Sequence, residues 1–307
     1  MILVISHKND FSADYVVNIL NRRGISYRRL NCEDILNTDI RLSFGRDFSY
    51  SLLGQTSFDS VWFRRTKLPE LDLPPAQRSY ILFETDSLLK NLFATVAAKW
   101  LSEPHQVYEA ENKLLQLKVA GEIGLTIPET LVTQSKAELR SFHARLNGDL
   151  IVKPLAQTRL IDGDNPSFIF TNPLAIDVFA RLDDLDLSPC IFQKNIRKAY
   201  ELRVTVVGTK VFAAKVNSQD CHTTRIDWRR EQLQFEPVEL PSGISEMCVT
   251  LLQKLRIGFG AIDMIKTPSG DYVFLEINPN GQWVWIETQT DLRISDAIIQ
   301  YLTNVEN

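Results

Sequence analysis

The stretch FLEINPNGQW, residues 274–283, decides how this chain is interpreted. It continues a strand whose alternate residues are apolar and expected to be buried, namely Val273, Leu275 and Ile277. Because side chains alternate along a strand, Glu276 and Asn278 project together from the other face, and the turn PNG (279–281) follows. A carboxylate beside an amide oxygen suits Mg²⁺. A half-exposed edge strand that enters a turn explains the same residues without a metal.

The preceding strand, FGAIDMIK, is predicted to form a hairpin with this one and to supply a second carboxylate. If Thr267 pairs with Tyr272 across the loop 268–271, Asp263 lies directly opposite Glu276. Opposed Cβ atoms are ~4.5 to 5.5 Å apart, and like charges at that distance destabilise a sheet. We therefore expect a cation between them. Either Mg²⁺ bridged by phosphate oxygens and also bound by Asn278, or a neighbouring Lys or Arg, meets this requirement.

Lys153 is a further candidate because it interrupts the apolar strand 150–152 and is followed by Pro154. A lysine at a strand end inside a cleft is a point charge suited to a phosphate. Most lysines are simply solvated. Lys153 therefore gains weight only beside the two carboxylates.

Composition is that of an ordinary soluble globular protein, with 307 residues, 44% hydrophobic and 23% charged. A formal net charge of -4 argues against a surface that seeks nucleic acid or anionic membrane, so we expect neither partner. The N-terminus turns polar after MILVIS, and no apolar run approaches the ~18 residues of a membrane span. We expect a cytoplasmic protein.

Cysteine and histidine spacing excludes two common kinds of site. The four cysteines, Cys32, Cys190, Cys221 and Cys248, contain no C-x-x-C and are predicted to be reduced thiols. The four histidines show no metal-ligand spacing, so a structural zinc is not expected.

Pattern predicts an α/β chain in three parts. A strand at 2–5, a helix capped by Ser12 and ended by Gly24, and a strand at 25–31 form a βαβ unit and indicate a parallel sheet. From residue 190 paired strands take over, with a hairpin turn at Gly208 and Thr209. We expect an N-terminal α/β domain at 1–105, a central lobe at 106–189 and a C-terminal α+β lobe at 190–307.

The order IVKP, IFQKNI, ELRVTVVGTKVFAAKV, AIDMI and FLEINPNG resembles the ATP-grasp ligase fold over roughly residues 110–290. Within it, NKLLQLKVAGEIGLTIPETLVT, VWFRR, DWRR and EINPNGQW are similar to the ATP-grasp macrocyclases that mature graspetides, the ω-ester and ω-amide ribosomal peptides that include microviridins. Residues 1–31 look like the subgroup of grasp-with-spasm maturases, with a Rossmann-like pre-ATP-grasp domain.

The resemblance implies ATP and Mg²⁺, with two ions expected, and a role for each matching position. Lys153 and, less directly, Lys113 would hold the α- and β-phosphates. Asp263, Glu276 and Asn278 would ligate Mg²⁺, and Arg203, on the same strand face as Glu201, would meet the γ-phosphate. The hinge reads Gln193-Lys194 where many relatives have Gln-Glu, so adenine recognition would use the main chain of Lys194, Asn195 and Ile196.

The implied reaction is phosphorylation of an Asp or Glu side chain in a precursor peptide, followed by displacement of phosphate by a hydroxyl or amine of the same peptide. Cations would bring the acidic peptide to the nucleotide. The candidates are Arg64, Arg65, Arg225 and Arg229, of which Arg229 is favoured for the acceptor carboxylate. A leader peptide and a homodimer are also implied. Two readings stay open: a ligase that adds amino acids to a small molecule or protein tail, and a non-catalytic nucleotide-binding regulator.

Overall fold

The computed structural model describes the chain apart from residues 157, 158, 163, 164, 170, 185–187, 221 and 305–307, and apart from the side chains of 159–162, 165–168 and 176. Cys221 lies outside the described residues. The other three cysteines are free thiols, as the spacing predicts. The α/β class predicted from sequence is confirmed, and the elements fall into three larger sheets and two small hairpins in the described ranges.

The first domain is built on a parallel sheet, as the βαβ pattern predicts. Its elements are β1 (Ile2–Ser6), α1 (Phe11–Arg22), β2 (Tyr27–Asn31), β3 (Ile40–Phe44), β4 (Phe48–Leu52), β5 (Ser60–Phe63), α2 (Pro75–Thr95) and β6 (Lys99–Trp100). The strand order is β2-β1-β5-β6, and β3 pairs with β4 alone. β1 is buried on both faces because Ile2 and Val4 enter one core while Leu3 and Ile5 enter another.

Helix α1 begins two residues before the predicted start. Asp10, rather than Ser12, is the N-cap, and its side chain accepts hydrogen bonds from the amides of Ser12 and Ala13. A carboxylate at this position satisfies free amides and faces the positive end of the helix dipole. The predicted end is close to the observed one, since Gly24 has a positive φ of 65° that favours glycine.

The central lobe carries an antiparallel sheet in the order β11-β8-β12-β7. Its elements are α3 (Pro104–Ala110), α4 (Lys113–Glu122), β7 (Thr130–Thr133), α5 (Lys136–Arg145), β8 (Leu150–Pro154), β9 (Arg159–Asp162), β10 (Asn165–Phe168), β11 (Asn172–Pro173), α6 (Ile176–Ala180) and β12 (Cys190–Lys194). The lobe boundary expected at 189/190 falls too early, because β12 is hydrogen-bonded between β7 and β8. The change to paired long strands comes after β12.

The C-terminal lobe carries a five-stranded antiparallel sheet in the order β15-β14-β13-β16-β17. Its elements are β13 (Tyr200–Val207), β14 (Lys210–Val216), β15 (Glu236–Pro237), α7 (Ser242–Lys254), β16 (Phe259–Lys266), β17 (Tyr272–Asn278), α8 (Val284–Thr290) and α9 (Ile294–Thr303). The last two helices return to the first domain, where Ile286 and Ile298 share a core with Val4 and Trp62. Within the described ranges, none of the helices has the length and apolar character of a membrane span.

Candidate active site

Three charged side chains form one row across the C-terminal sheet. In the register of β13, β16 and β17, Arg203 lies opposite Asp263, and Asp263 lies opposite Glu276. Arg203 is buried and both carboxylates are partly buried. The sequence argument predicted the pairing of the two carboxylates. It did not predict that Arg203 lies directly across from Asp263.

The hairpin has the predicted pairing of Asp263 with Glu276, but its turn differs from the predicted one. Lys266, and not Thr267, pairs with Tyr272, so the predicted turn is wrong by one residue. A β-bulge then shifts the register by one position and restores the opposition of Asp263 and Glu276.

The bulge also changes which side chains of β17 enter the core. Leu275 is the extra residue and lines the cleft next to Glu276. Alternation had predicted that Leu275 would be buried with Ile277. Phe274 takes the core position instead.

Each carboxylate of the row has a cationic partner. Arg203 Nη1 lies 3.0 Å from both carboxylate oxygens of Asp263. Lys113 Nζ lies 3.6 Å from Glu276 Oε2. The neighbouring Lys or Arg considered as an alternative to a metal is therefore present for both carboxylates.

Burial and neighbouring charge act on the two carboxylates with different outcomes. Burial raises the pKa of Asp263 above its ordinary value despite the adjacent Arg203. Burial also opposes ionisation of Glu276, but Lys113, Lys153 and Arg229 together hold its pKa below the ordinary value. Glu276 is thus the firmly ionised member of the pair, at the centre of a group of cations.

The two carboxylates of the row line a cleft between the central and C-terminal lobes, and the described lining does not include Arg203. With its open mouth the cleft holds about 650 Å³ of empty space. It is lined by Lys113, Lys153, Pro154, Ala156, Ile169, Thr171, Glu201, Ile226, Asp227, Trp228, Arg229, Asp263, Leu275 and Glu276. The sequence candidates from three distant segments therefore meet in one place.

Lys153 reaches this cleft from β8, and Lys113 from the first turn of α4. Burial lowers the pKa of Lys153 to about 8, although Glu276 opposes the change. Lys113 Nζ donates to the carbonyl of Pro154 at 3.2 Å, which holds the two lysines beside each other. Two adjacent ammonium groups in a half-buried cleft repel one another, and an anion between them relieves that repulsion.

Glu201 lies at the cleft next to a cation of its own. Lys198 Nζ is 3.0 Å from Glu201 Oε1, off the hydrogen-bond direction. Burial raises the pKa of Glu201, while Lys198 acts in the opposite sense. Glu201 shares its strand and face with Arg203 and extends the polar row by one step.

Part of the main chain that was expected to bind adenine already makes hydrogen bonds within the protein. The amides of Lys194 and Asn195 donate to the carbonyls of Glu129 and Asp149, so they are already used. Carbonyl groups and the amide of Ile196 are the remaining main-chain candidates on this segment. Gln193 is buried and, among the described residues, its Oε1 has no hydrogen-bond partner, which is the state of an acceptor that awaits a donor.

Arg229 lies in the cleft, held by its neighbour in the chain. Its Nε and Nη2 donate to the two oxygens of Asp227 at 2.8 and 2.6 Å. This hydrogen-bonded carboxylate raises the pKa of the Arg229 guanidinium further above its usual value. The side chain is still 43% exposed, so its Nη1 edge can meet a ligand. Arg225 is exposed and donates to the carbonyl of Gln219, and the described cleft lining does not include it.

The adjacent arginines after β5 point to different places. Arg64 is 1% exposed, pairs with Asp10 and lies over the ring of Trp62, so the structure does not bring it to the cleft. Arg65 is exposed and lines a second cleft. Alternation along an extended chain explains the difference.

This second cleft joins the first one on the side of the N-terminal domain. Lys113, Ala156 and Glu276 line both. The second cleft is further lined by Arg65, Tyr108, Glu111, Asn112, Leu114, Gln116, Leu155, Ile277, Asn278 and Pro279. Burial raises the pKa of Glu111, while Arg65 lowers it. A ligand in the second cleft can therefore touch the charged row from the opposite side.

Asp263, Glu276 and Asn278 suit Mg²⁺ only if phosphate or water oxygens complete its coordination. Asp263 and Glu276 are opposed, and the Asn278 Oδ1 accepts one hydrogen bond, from the Asn280 amide at 3.1 Å, which leaves a lone pair. Within the described part of the chain there is no cluster of three or more His, Cys, Asp or Glu side chains suited to a metal. Mg²⁺ commonly takes one or two carboxylates and completes its shell with phosphate and water. These residues match that pattern.

Solved structures of ATP-grasp enzymes share the fold of this chain. No family model matches the chain. A RiPP-associated ATP-grasp ligase from Chryseobacterium gregarium, solved with ADP and a leader and core peptide, is 29% identical, with a TM-score of 0.89 over 100% of this chain and 97% of that one. The macrocyclase MdnB from Microcystis aeruginosa MRC is 31% identical, with a TM-score of 0.80 over 99% of both chains. The chain belongs to the RiPP-associated ATP-grasp macrocyclases.

A more distant similarity is to a ligase of another kind. The alpha-aminoadipate–LysW ligase LysX from Sulfurisphaera tokodaii is 20% identical over 222 residues, which is 69% of this chain and 74% of that protein. The present protein is an ATP-grasp ligase, and its fold is that of the macrocyclases over its whole length.

Sequence reasoning missed several residues that line the two clefts. Asp227 opens the DWRR segment and is the partner of Arg229, a role that its adjacent position in the motif could have indicated. Leu275 enters the cleft through the bulge, for which the sequence carries no signal. Tyr108 lies in α3 and Glu111 is the C-cap of that helix, a short helix that the hydrophobic pattern did not assign.

Proposed function

We propose that this ATP-grasp enzyme uses ATP and Mg²⁺ to cyclise a ribosomal precursor peptide. A side-chain carboxylate oxygen of the peptide forms a bond to the γ-phosphorus, and the bond between that phosphorus and ADP breaks. A Thr or Ser hydroxyl, or a Lys amine, of the same peptide then attacks the acyl carbon, and phosphate leaves. The hydroxyl or amine loses its proton, so the ring forms with net loss of one water.

The observation that supports the proposal is that Asp263 and Glu276 share one cleft with Lys153 and Lys113, while Arg203 lies opposite Asp263 in the sheet. In this proposal Lys153 and Lys113 hold phosphate oxygens. Arg203 stabilises charge on the transferred phosphoryl group. Bound Mg²⁺ would neutralise further phosphate charge, held by the oxygen atoms of Asp263 and Glu276.

The peptide is proposed to reach this row through the second cleft. Arg65 stands there as an exposed cation, and Arg229 offers one free edge in the first cleft. A guanidinium edge binds a carboxylate with good geometry. The two arginines thus give an acidic peptide one contact on each side of Glu276, while Arg64 has no access and Arg225 is left without a proposed role.

Mass spectrometry tests the function directly. Purified enzyme, ATP and Mg²⁺ are incubated with a short precursor encoded beside the gene, chosen for Thr or Ser and Asp or Glu clusters near its C-terminus. Loss of one water mass per ring, with tandem spectra that locate the cross-link, is expected. Addition of an amino acid mass would support the ligase alternative instead, and nucleotide binding without turnover would support the regulator.

The proposal includes a homodimer in the cytoplasm and a leader peptide that the enzyme recognises. Light scattering during size-exclusion chromatography measures the first. Leader recognition is measured by comparing a precursor without its leader with the full precursor at equal concentration. We expect a lower rate for the truncated peptide.

A further inference from the structure

The backbone carbonyl of Gln282 contacts the terminal nitrogen of Arg203 that does not contact Asp263. Both contacts to Asp263 come from the same nitrogen, Nη1, and the other terminal nitrogen, Nη2, donates to the Gln282 carbonyl at 3.2 Å. One nitrogen alone leaves the guanidinium plane free to turn. The second contact fixes that plane.

Gln282 is in turn tied to the N-terminal domain. Its Oε1 accepts a hydrogen bond from Ser12 Oγ at 2.6 Å, although the two residues are 270 positions apart. Ser12 is fully buried in the first turn of α1. The next residue, Trp283, is also fully buried and meets the ring of Tyr15 edge-on, so the start of α1 and this turn are packed together.

Ser12 is itself fixed by the cap of α1. Its amide donates to Asp10 Oδ1 at 3.0 Å, and Ser6 Oγ donates to Asp10 Oδ2 at 2.6 Å. Arg64 Nε lies 3.3 Å from Asp10 Oδ2, and both side chains are 1% exposed. A buried, charge-compensated cap is rigid, because every displacement leaves a charged or polar group unpaired.

We propose that Asp10, Ser12 and Gln282 are positioning residues that hold Arg203 toward the cleft. The inference rests on the proposed function, in which Asp263 also binds a metal. Asp263 would hold Arg203 less firmly if its oxygens also bound a cation. The Gln282 carbonyl, anchored through Ser12 to the first domain, is the contact that stays.

The test compares two serines that both link the N-terminal domain to the C-terminal part of the chain. Ser12→Ala removes the tie to Gln282. Ser60→Ala is the matched control, because Ser60 is also fully buried and its Oγ donates to the carbonyl of Leu302 at 2.7 Å, a residue that makes none of the described hydrogen bonds of Arg203. Ser12→Thr restores the hydroxyl.

Ser12→Ala is expected to lower kcat for ring formation about tenfold, with the Kd for ADP unchanged within about twofold, since misplacement and not lost binding is the cause. Ser12→Thr should recover most of the rate. Ser60→Ala should lower Tm comparably and keep kcat. Equal loss of kcat in the two alanine variants, or no loss in Ser12→Ala, would overturn the inference.

Arg203→Lys separates this inference from the proposed function. If Arg203→Lys turns over normally, the role proposed for Arg203 fails, and the positioning role fails with it. If Arg203→Lys is inactive while Ser12→Ala is fully active, only the positioning role fails. Amide hydrogen exchange of residues 280–283 gives a measurement independent of turnover. Faster exchange in Ser12→Ala but not in Ser60→Ala is expected, and unchanged exchange in Ser12→Ala contradicts the proposal.

Discussion

Lys153 illustrates how position changes the chemistry of a single residue. It follows an apolar strand into a cleft, and burial lowers its pKa to about 8. The charge of Glu276 opposes the effect of burial, and the side chain is largely protonated at neutral pH. A bound phosphate raises the pKa again, because it favours the charged ammonium.

Nucleotide affinity should therefore depend on pH. Above about pH 8 the free Lys153 loses its proton, and binding must restore it, so the Kd for ADP should rise with pH, up to about tenfold per unit. Isothermal titration from about pH 7 to about pH 9 measures this. Lys153→Arg should bind with little pH dependence, since arginine keeps its proton. An equal slope in both proteins would assign the titration to another group.

Glu276 is expected to be indispensable for turnover. Glu276→Gln keeps the shape but removes the charge that a metal and the surrounding cations require, so ring formation should fall at least about 100-fold. Asp271→Asn is the control, because Asp271 is an exposed carboxylate in the turn of the same hairpin. Its turnover should match that of the unmodified protein. Undiminished turnover in Glu276→Gln would contradict the metal role.

At the scale of elements, the turn between β17 and α8 is the tightest part of the site. A Cβ atom on Gly281 would lie 2.5 Å from the Ala261 Cβ and 2.7 Å from Arg203 Nη2. Real Cβ contacts are longer, so any side chain here displaces either the turn or Arg203. Glycine is required here because a side chain does not fit.

Gly281→Ala should therefore reduce kcat by at least about tenfold and destabilise the fold by about 1 to 3 kcal/mol. Gly243→Ala is the matched control. Gly243 lies in α7 with nothing within 4 Å of the added Cβ, so the change should be neutral or stabilise by up to about 1 kcal/mol. Rate assays and urea unfolding check both variants. A fully active Gly281→Ala would show that the turn yields without cost.

Sequence predicted some elements of the site well and others not at all. Alternation and hairpin pairing placed Asp263 opposite Glu276, and the apolar run before Lys153 located β8, because both follow from local periodicity. The row partner Arg203, the cap Asp10 and the contact of Ser12 with Gln282 were not predicted. The position of Arg203 in the row and the contact of Ser12 with Gln282 depend on packing between distant segments. The cap Asp10 makes local contacts, and its place before α1 could have indicated it. The bulge at Leu275 shifts the register by one residue, which alternation does not predict.

At the scale of the whole molecule, the last helices of the chain pack against its N-terminal domain. Helices α8 and α9 cover the first sheet, and Ser60 Oγ donates to the Leu302 carbonyl. The N-terminal domain and the end of the C-terminal lobe thus share one core. Their stabilities should be coupled, and unfolding of one should expose the other.

Ile298→Ala tests this coupling. Ile298 is fully buried in the shared core, so its truncation should lower the free energy of unfolding by about 2 to 5 kcal/mol. Leu36→Ala, at a side chain 48% exposed, should change it by less than about 1 kcal/mol. Urea unfolding is followed by tryptophan fluorescence and by proteolysis of the first domain. Separate transitions for the two readouts would argue against a common core.

The bulge at Leu275 separates the charged row from the loop that joins its two strands. The bulge shifts the register by one residue between the charged row and the loop. We therefore expect the outer end of the hairpin to tolerate changes in length while Asp263 stays opposite Glu276. Ser269, exposed at that outer end, is thus a natural insertion point for an affinity tag or a fluorescent label that reports on the enzyme without disturbing its chemistry.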